Sequence, residues 1–156
     1  MKLRKVVVLG LSIGALLLVS GCAKVPMANQ EDSQQAKLFN QPSDGNSGLY
    51  VYRNSPVGQA LKKDIYVDSK CLGQSAPDVF FYKTIKGDTE HEISTESEFS
   101  PNTLRLNTES GKNYFVRQYI KLGVFVGGAN LEVVEEEQGK EDISKLDMAV
   151  NGTCAK

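Results

Sequence analysis

Short aromatic and β-branched runs, each cut off by turn residues, recur from Gly48 to Val134, and this rhythm restricts the chain to antiparallel β structure. Leu49-Tyr50-Val51-Tyr52 is one run and Asp64-Ile65-Tyr66-Val67-Asp68 is the next. Asp68-Ser69-Lys70 makes a tight turn from which Cys71-Leu72 pairs back. Residues 78–85 form a third main strand, and Lys86-Gly87-Asp88 signals a hairpin in which Gly87 is expected to supply positive φ. Residues 89–96 return, with His91, Ile93 and Thr95 alternating against Glu90, Glu92 and Ser94. Further strands are expected at 103–107, 113–120 and 131–134, separated by Ser100-Pro101-Asn102 and Glu109-Ser110-Gly111-Lys112. Short helices are expected at 31–39, capped by Asn29, and at 141–146. The fold class is therefore all-β: a single antiparallel sandwich with one or two short helices.

The first 21 residues read differently. Lys2, Arg4 and Lys5 precede an apolar run over 6–19 that ends at Leu18-Val19-Ser20-Gly21-Cys22. A basic start, an apolar stretch of this length and a small-residue exit make a secretory signal. The run falls short of the ~20 apolar residues that a membrane span needs. Leu-Val-Ser-Gly-Cys also resembles the bacterial lipobox, which implies cleavage before Cys22 and a diacylglycerol on its sulfur. That covalent lipid is the only cofactor expected. Ala23-Lys24 lacks the Asp of an inner-membrane retention signal, so the resemblance implies an outer-membrane anchor with the domain facing the periplasm. Removing 1–21 takes Lys2, Arg4 and Lys5 away and shifts the formal charge from −1 to −4. The expected organisation is a signal peptide at 1–21, a lipidated Cys22 with a flexible tether over 22–47, and a sandwich over 48–156. The tether is rich in Gln, Asn, Ser and Asp, and as a coil its 25 residues from Ala23 to Ser47 would span about 25–30 Å.

Cys71 and Cys154 remain after Cys22 is assigned to lipid. In an oxidising compartment the simplest reading is a structural disulfide, with unpaired thiols or an exchange-active pair as alternatives. The chain has no C-x-x-C, which argues against redox catalysis.

Ile65-Tyr66-Val67-Asp68-Ser69-Lys70-Cys71-Leu72-Gly73 resembles the hairpin of PEGA-like, prealbumin-like surface domains, with Ser69 in place of their turn glycine. Together with Gly48-Leu49-Tyr50-Val51-Tyr52-Arg53 and Gly111-Lys112-Asn113-Tyr114-Phe115-Val116-Arg117-Gln118, the chain resembles a bacterial lipoprotein family, domain of unknown function 2846. The resemblance spans about 48–147 and implies a β-sandwich and an envelope location, with no activity attached.

Composition narrows the chemistry. A single histidine cannot build a multi-His metal site, and 18 basic against 19 acidic residues without a basic cluster argues against nucleic-acid binding. His91 lies in an alternating strand with no nucleophile-elbow spacing nearby, so a structural role is expected. Glu135-Glu136-Glu137 with Glu141 and Asp142 lacks the pattern of a calcium loop and reads as a solvated helix start, so no metal site is expected. Gly123-Val124-Phe125-Val126-Gly127-Gly128 carries two readings: a buried hairpin, or a mobile apolar loop presenting Phe125, Val124 and Val126 to a partner or membrane. The expected function is that of a non-catalytic envelope module, attached to the membrane by its lipid and contacting an envelope protein or glycan. The alternative is a small envelope enzyme, or an enzyme inhibitor, using a site near His91.

Overall fold

The computed structural model describes residues 23–155. The readings on Cys22 and on the signal segment 1–21 lie outside the described residues. The described residues hold nine strands and two helices, arranged as β1 (Asn46–Arg53), β2 (Lys63–Val67), β3 (Lys70–Ser75), β4 (Val79–Lys86), β5 (Thr89–Thr95), β6 (Asn102–Thr108), β7 (Asn113–Lys121), β8 (Gly128–Val134) and β9 (Asp147–Met148), with α1 (Gln30–Ala36) before β1 and α2 (Glu136–Ser144) after β8. A five-stranded sheet ordered β8-β7-β1-β4-β9 faces a four-stranded sheet ordered β3-β2-β5-β6. The expected sandwich is present. Most neighbours are antiparallel, while β1–β7 and β4–β9 run parallel.

Alternation along each strand sorts the core. Leu49 and Val51 of β1 face inward with Ile65, Val67, Leu72, Phe81, Ile93 and Val116, all buried. Tyr50 and Tyr52 point the other way, into a second cluster with Phe80, Phe115, Ile143 and Leu146. Both helices cover this outer face, so the large sheet is buried on both sides, and β1 reads as a near-continuous buried run. One polar chain crosses the inner core. Gln118 of β7 accepts from Ser75 Oγ and donates to Thr95 Oγ1 at 2.7 Å, joining the two sheets.

The expected tether is corrected. Residues 23–45 are packed onto the sandwich and β1 begins at Asn46. Ala23 N–H donates to Gln59 C=O at 2.9 Å, Val25 is buried in the inner core, and Met27 bridges Ala149. Phe39 lies against Tyr50 and Phe115 with ring centroids 5.3 and 5.9 Å away. The cause is that the sheet offers two apolar surfaces: Val25 closes the inner core, while Ala36 and Phe39 cover the aromatic outer face of the large sheet.

Element ends also shift. Asn29 caps α1 as expected, its side chain accepting from Asp32 N–H at 2.8 Å, but the helix stops at Ala36 and Phe39 takes a left-handed φ of 50°. α2 starts five residues earlier than expected, at Glu136, with Glu136 and Glu137 in its first turn. The expected hairpin at Lys86-Gly87-Asp88 does not form: β4 and β5 belong to different sheets, so the turn crosses from one to the other, with Asp88 carrying the positive φ, 54°. Gly87 is needed for space, since a Cβ there would lie 2.6 Å from Ser110 Cα.

Cys71 and Cys154 form a disulfide with a Cα–Cα distance of 6.0 Å. It fastens the C-terminal tail across β3, where Gly152 N–H also donates to Leu72 C=O and Gln74 N–H to Thr153 C=O.

Candidate functional site

The strand directions gather four connections at one end of the sandwich: 54–62, 76–78, 96–101 and 122–127. The turns at the other end are Asp68-Ser69, Gly87-Asp88 and Glu109-Ser110-Gly111-Lys112, all polar. The first end is the apolar one. Its connections expose Val57, Phe99, Leu122, Val124, Phe125 and Val126, with Phe125 83% and Leu122 92% exposed.

The 122–127 tip is fixed although it is exposed. Glu98 reaches from the β5–β6 connection and its carboxylate accepts N–H bonds from three consecutive residues, Val124 at 2.7 Å, Phe125 at 2.5 Å and Val126 at 3.2 Å. Successive amides converging in this way make an anion nest, filled here by the chain's own carboxylate. Partial desolvation pushes the Glu98 carboxyl up, but the three amides outweigh it and hold it below the usual carboxylate range. Gly123 permits the curl, since a Cβ there would fall 1.8 Å from Val126 C=O. With their amides turned inward to Glu98, the side chains of 124–126 face outward.

The neighbouring 54–62 connection is held by Arg53, which is fully buried at the end of β1. Its guanidinium donates to the carbonyls of Leu61 at 2.7 Å, Gly58 at 2.5 Å and Val57 at 3.1 Å. Burial lowers its pKa, and the Asp78 charge opposes that shift. Gly58 and Leu61 pack toward Ile120 and Gly127 at the base of the tip, and Gln59 receives Ala23. The point where the described chain starts and the apolar tip therefore share one end.

The structure thus takes up the exposed reading of Val124, Phe125 and Val126 and overturns the buried-hairpin one. It also replaces a mobile loop with a clasped one. Glu98, Phe99 and Val57 were not singled out from the sequence. The clasp spans 26–28 residues of chain, so no local pattern signals it.

His91 is buried at the polar end. Its Nδ1 meets Asp68 Oδ2 at 2.6 Å and its Nε2 meets Lys86 C=O at 2.8 Å. Both ring nitrogens are occupied by acceptor groups of the fold, which suits a structural tie between the β2–β3 turn and the β4–β5 turn that joins the two sheets. Only Glu136 and Glu137 of the acidic cluster fall in the first turn of α2, and its acids are engaged: Glu136 with Lys140, Glu141 with Lys145 at 3.0 Å, and Asp142 with Tyr52 Oη of β1 at 2.7 Å. Among the described residues no three His, Cys, Asp or Glu side chains gather as metal ligands.

Two clefts lie on the outer face of the large sheet. One, of about 310 Å³, has Tyr50 and Tyr82 as its floor and Asp32, Gln35 and Asn40 of the packed N-terminal segment on its rim. The Tyr50 hydroxyl is committed to Ala36 C=O at 2.9 Å, and burial, with the Tyr82 charge, pushes its pKa well up. The other, of about 560 Å³, is polar and contains Arg117 paired with Glu132 at 2.6 Å. Neither cleft was legible in the sequence, because each depends on elements distant in the chain.

The family described as protein of unknown function DUF2846 matches residues 43–129, from just before β1 to the second residue of β8. The chain belongs to this family. The matched span holds both sheets apart from β9 and most of β8, together with the clasped tip, and leaves α1, α2 and the disulfide-bonded tail outside. A protein of Haemophilus influenzae named as uncharacterized is 67% identical over 139 residues, covering 89% of this chain and 82% of the relative.

Proposed function

We propose that this DUF2846 protein is a lipid-anchored, non-catalytic module of the bacterial cell envelope that makes its contacts through the Phe125 end. Cys22 carries the lipid, and the domain faces the periplasm from the outer membrane. The observation that carries the reading is the tip: Phe125 is 83% exposed, yet its backbone is clasped by Glu98. An apolar side chain held rigidly in solvent contributes little to folding and suits a contact surface. The occupied ring nitrogens of His91 favour a binding role over catalysis at that residue.

Growth of the source bacterium, or of an enteric host expressing the full chain, with an alkyne-tagged palmitate tests the anchor. The expected result is label on the wild-type chain, none on Cys22→Ala, and recovery of the labelled chain in the outer-membrane fraction. Label-free wild-type protein released in the soluble fraction overturns the anchor. Crosslinked pull-down with wild type and Phe125→Ser tests the contact surface. Loss of a captured envelope component, lipid or protein, in the variant, at unchanged melting temperature, is the expected outcome. An identical capture profile overturns the assignment to Phe125.

A further inference from the structure

We infer that the apolar end lies flat against the bilayer itself, with Phe125, Leu122 and Phe99 seated in the lipid interface beside the anchor. This rests on the anchoring reading and names its contact: the lipid surface. The argument begins with the packed N-terminal segment. A 25-residue coil would have held the domain at a distance from the membrane, but there is no such coil. Ala23, the residue next to Cys22, is tied to Gln59, and Gln59 lies in the connection that Arg53 anchors at the apolar end. Whatever attaches residue 22 to the membrane therefore brings this end to the bilayer with no spacer. This holds for an acylated Cys22 and equally for an uncleaved apolar run over 6–19.

The side chains agree with the placement. Six exposed apolar residues occupy the connections of this end; among the described residues the three turns of the other end hold none, where the exposed Leu38 and Val133 stand apart on the α1–β1 connection and the end of β8. Aromatic and aliphatic groups presented on a stiff loop partition into the headgroup and acyl boundary. Lys24, Lys62, Lys63 and Lys121 lie at the same end, opposed by Asp78, Glu96 and Glu98. Charge is close to balance there, so apolar contact rather than attraction to anionic headgroups is the recognising chemistry. Long lysine stems can extend along a lipid surface with their ammonium groups in water.

The chain has no tryptophan, so a single one is a clean reporter. Full-length Phe125→Trp and Lys70→Trp variants, purified from membranes, are reconstituted into vesicles of phosphatidylethanolamine and phosphatidylglycerol, with and without brominated acyl chains. Flotation reports attachment and bromine quenching reports depth. The expected result is co-flotation of both variants, a blue-shifted and quenched Trp at 125, and an unquenched Trp at 70 on the polar end. Salt and phosphatidylglycerol content should leave the quenching unchanged. Co-flotation with an unquenched Trp at 125 overturns the docking and leaves the anchor standing. So does equal quenching at both positions, which removes the orientation. A Trp at 125 shielded from iodide but untouched by bromine assigns the tip to a protein contact and overturns the lipid surface. Failure to float refutes the anchor, and the docking with it.

Discussion

Replacing both Cys71 and Cys154 with Ser opens a covalent loop whose ends are 83 residues apart in sequence. The loop-entropy relation assigns such a closure about 4–5 kcal/mol, exerted on the unfolded chain. The folded chain should barely register the change. The tail stays paired through Gly152 N–H to Leu72 C=O at 2.8 Å, Gln74 N–H to Thr153 C=O at 3.0 Å and Ala155 N–H to the Asp64 carboxylate at 2.9 Å. At roughly 2–4 °C per kcal/mol for a chain of this size, the melting temperature should fall by roughly 8–20 °C. Urea unfolding followed by circular dichroism checks this, with reduced wild type as a second sample in the same covalent state. Both samples should unfold at one lower midpoint, with a slope no smaller than that of the oxidised protein, since the freed chain exposes more surface. A double-Ser protein within about 1 kcal/mol of oxidised wild type would refute the reasoning, because the loop would then not be limiting the unfolded ensemble.

Phe125→Ser removes a side chain that folding covers by only about a sixth, so it should cost roughly 0.3–0.5 kcal/mol and shift the melting temperature by less than about 2 °C. Phe115→Ala is the counterpart in the core: Phe115 is buried and stacked on Tyr50 at 5.0 Å, and about 3–5 kcal/mol should be lost in the same melt. Gly139→Ala should also destabilise, although alanine in mid-helix ordinarily gains about 1 kcal/mol over glycine, because the new Cβ would lie 2.4–2.6 Å from Phe115 atoms. A raised melting temperature for this variant would show that the ring has room to move. Asp68 governs part of the acid response. Partial burial pushes its carboxyl up, but hydrogen bonds from His91 and Glu92 N–H, with the charges of His91 and Lys70, hold it below its ordinary value. The unfolded chain then takes up the proton more readily, so this stabilisation is present above about pH 4 and lost as the pH falls below that. Melting temperature against pH should accordingly fall less steeply in Asp68→Asn on the acid side, and an unchanged slope would remove Asp68 from the account.

The sandwich was legible because its information is local. Asp68 and Ser69 both adopt left-handed φ, 50° and 62°, at the tight turn their residue types signal, and the alternation of His91, Ile93 and Thr95 is the alternation of burial. The pairing of Cys71 with Cys154 was legible from the cysteine count together with the expected oxidising compartment. What escaped is non-local. Val25 and Phe39 are isolated apolar residues in a polar segment, and nothing in their spacing records that one enters the inner core and the other fits onto the outer face made by β1, β4 and β7. One signal for that surface was present: Leu49-Tyr50-Val51-Tyr52 is apolar on both faces, which in a sandwich means a strand covered twice. The candidate site divides in the same way. Phe125 and its flanking valines stand out in sequence as an apolar run between glycines, whereas the carboxylate that decides their exposure comes from Glu98 on another connection.

The two clasps at the apolar end use the same physics from opposite charges. Glu98 gathers three amide donors of the 122–127 tip, and Arg53 gathers three carbonyl acceptors of the 54–62 connection. Each satisfies backbone groups of an irregular loop, so neither loop must bury its apolar side chains in order to be ordered. Order achieved this way has a consequence for binding: a surface already fixed loses less conformational entropy on contact than one that must be organised first. The polar end is tied differently: only its β2–β3 turn is a hairpin, and the two turns that cross between the sheets are held by His91 on Lys86 C=O and by Asp88 on Ser110 N–H, with no apolar group presented on them. A charged clasp on the loops that present apolar groups, and on the connection that receives Ala23, is therefore the arrangement expected of an end built to meet a surface at a fixed angle.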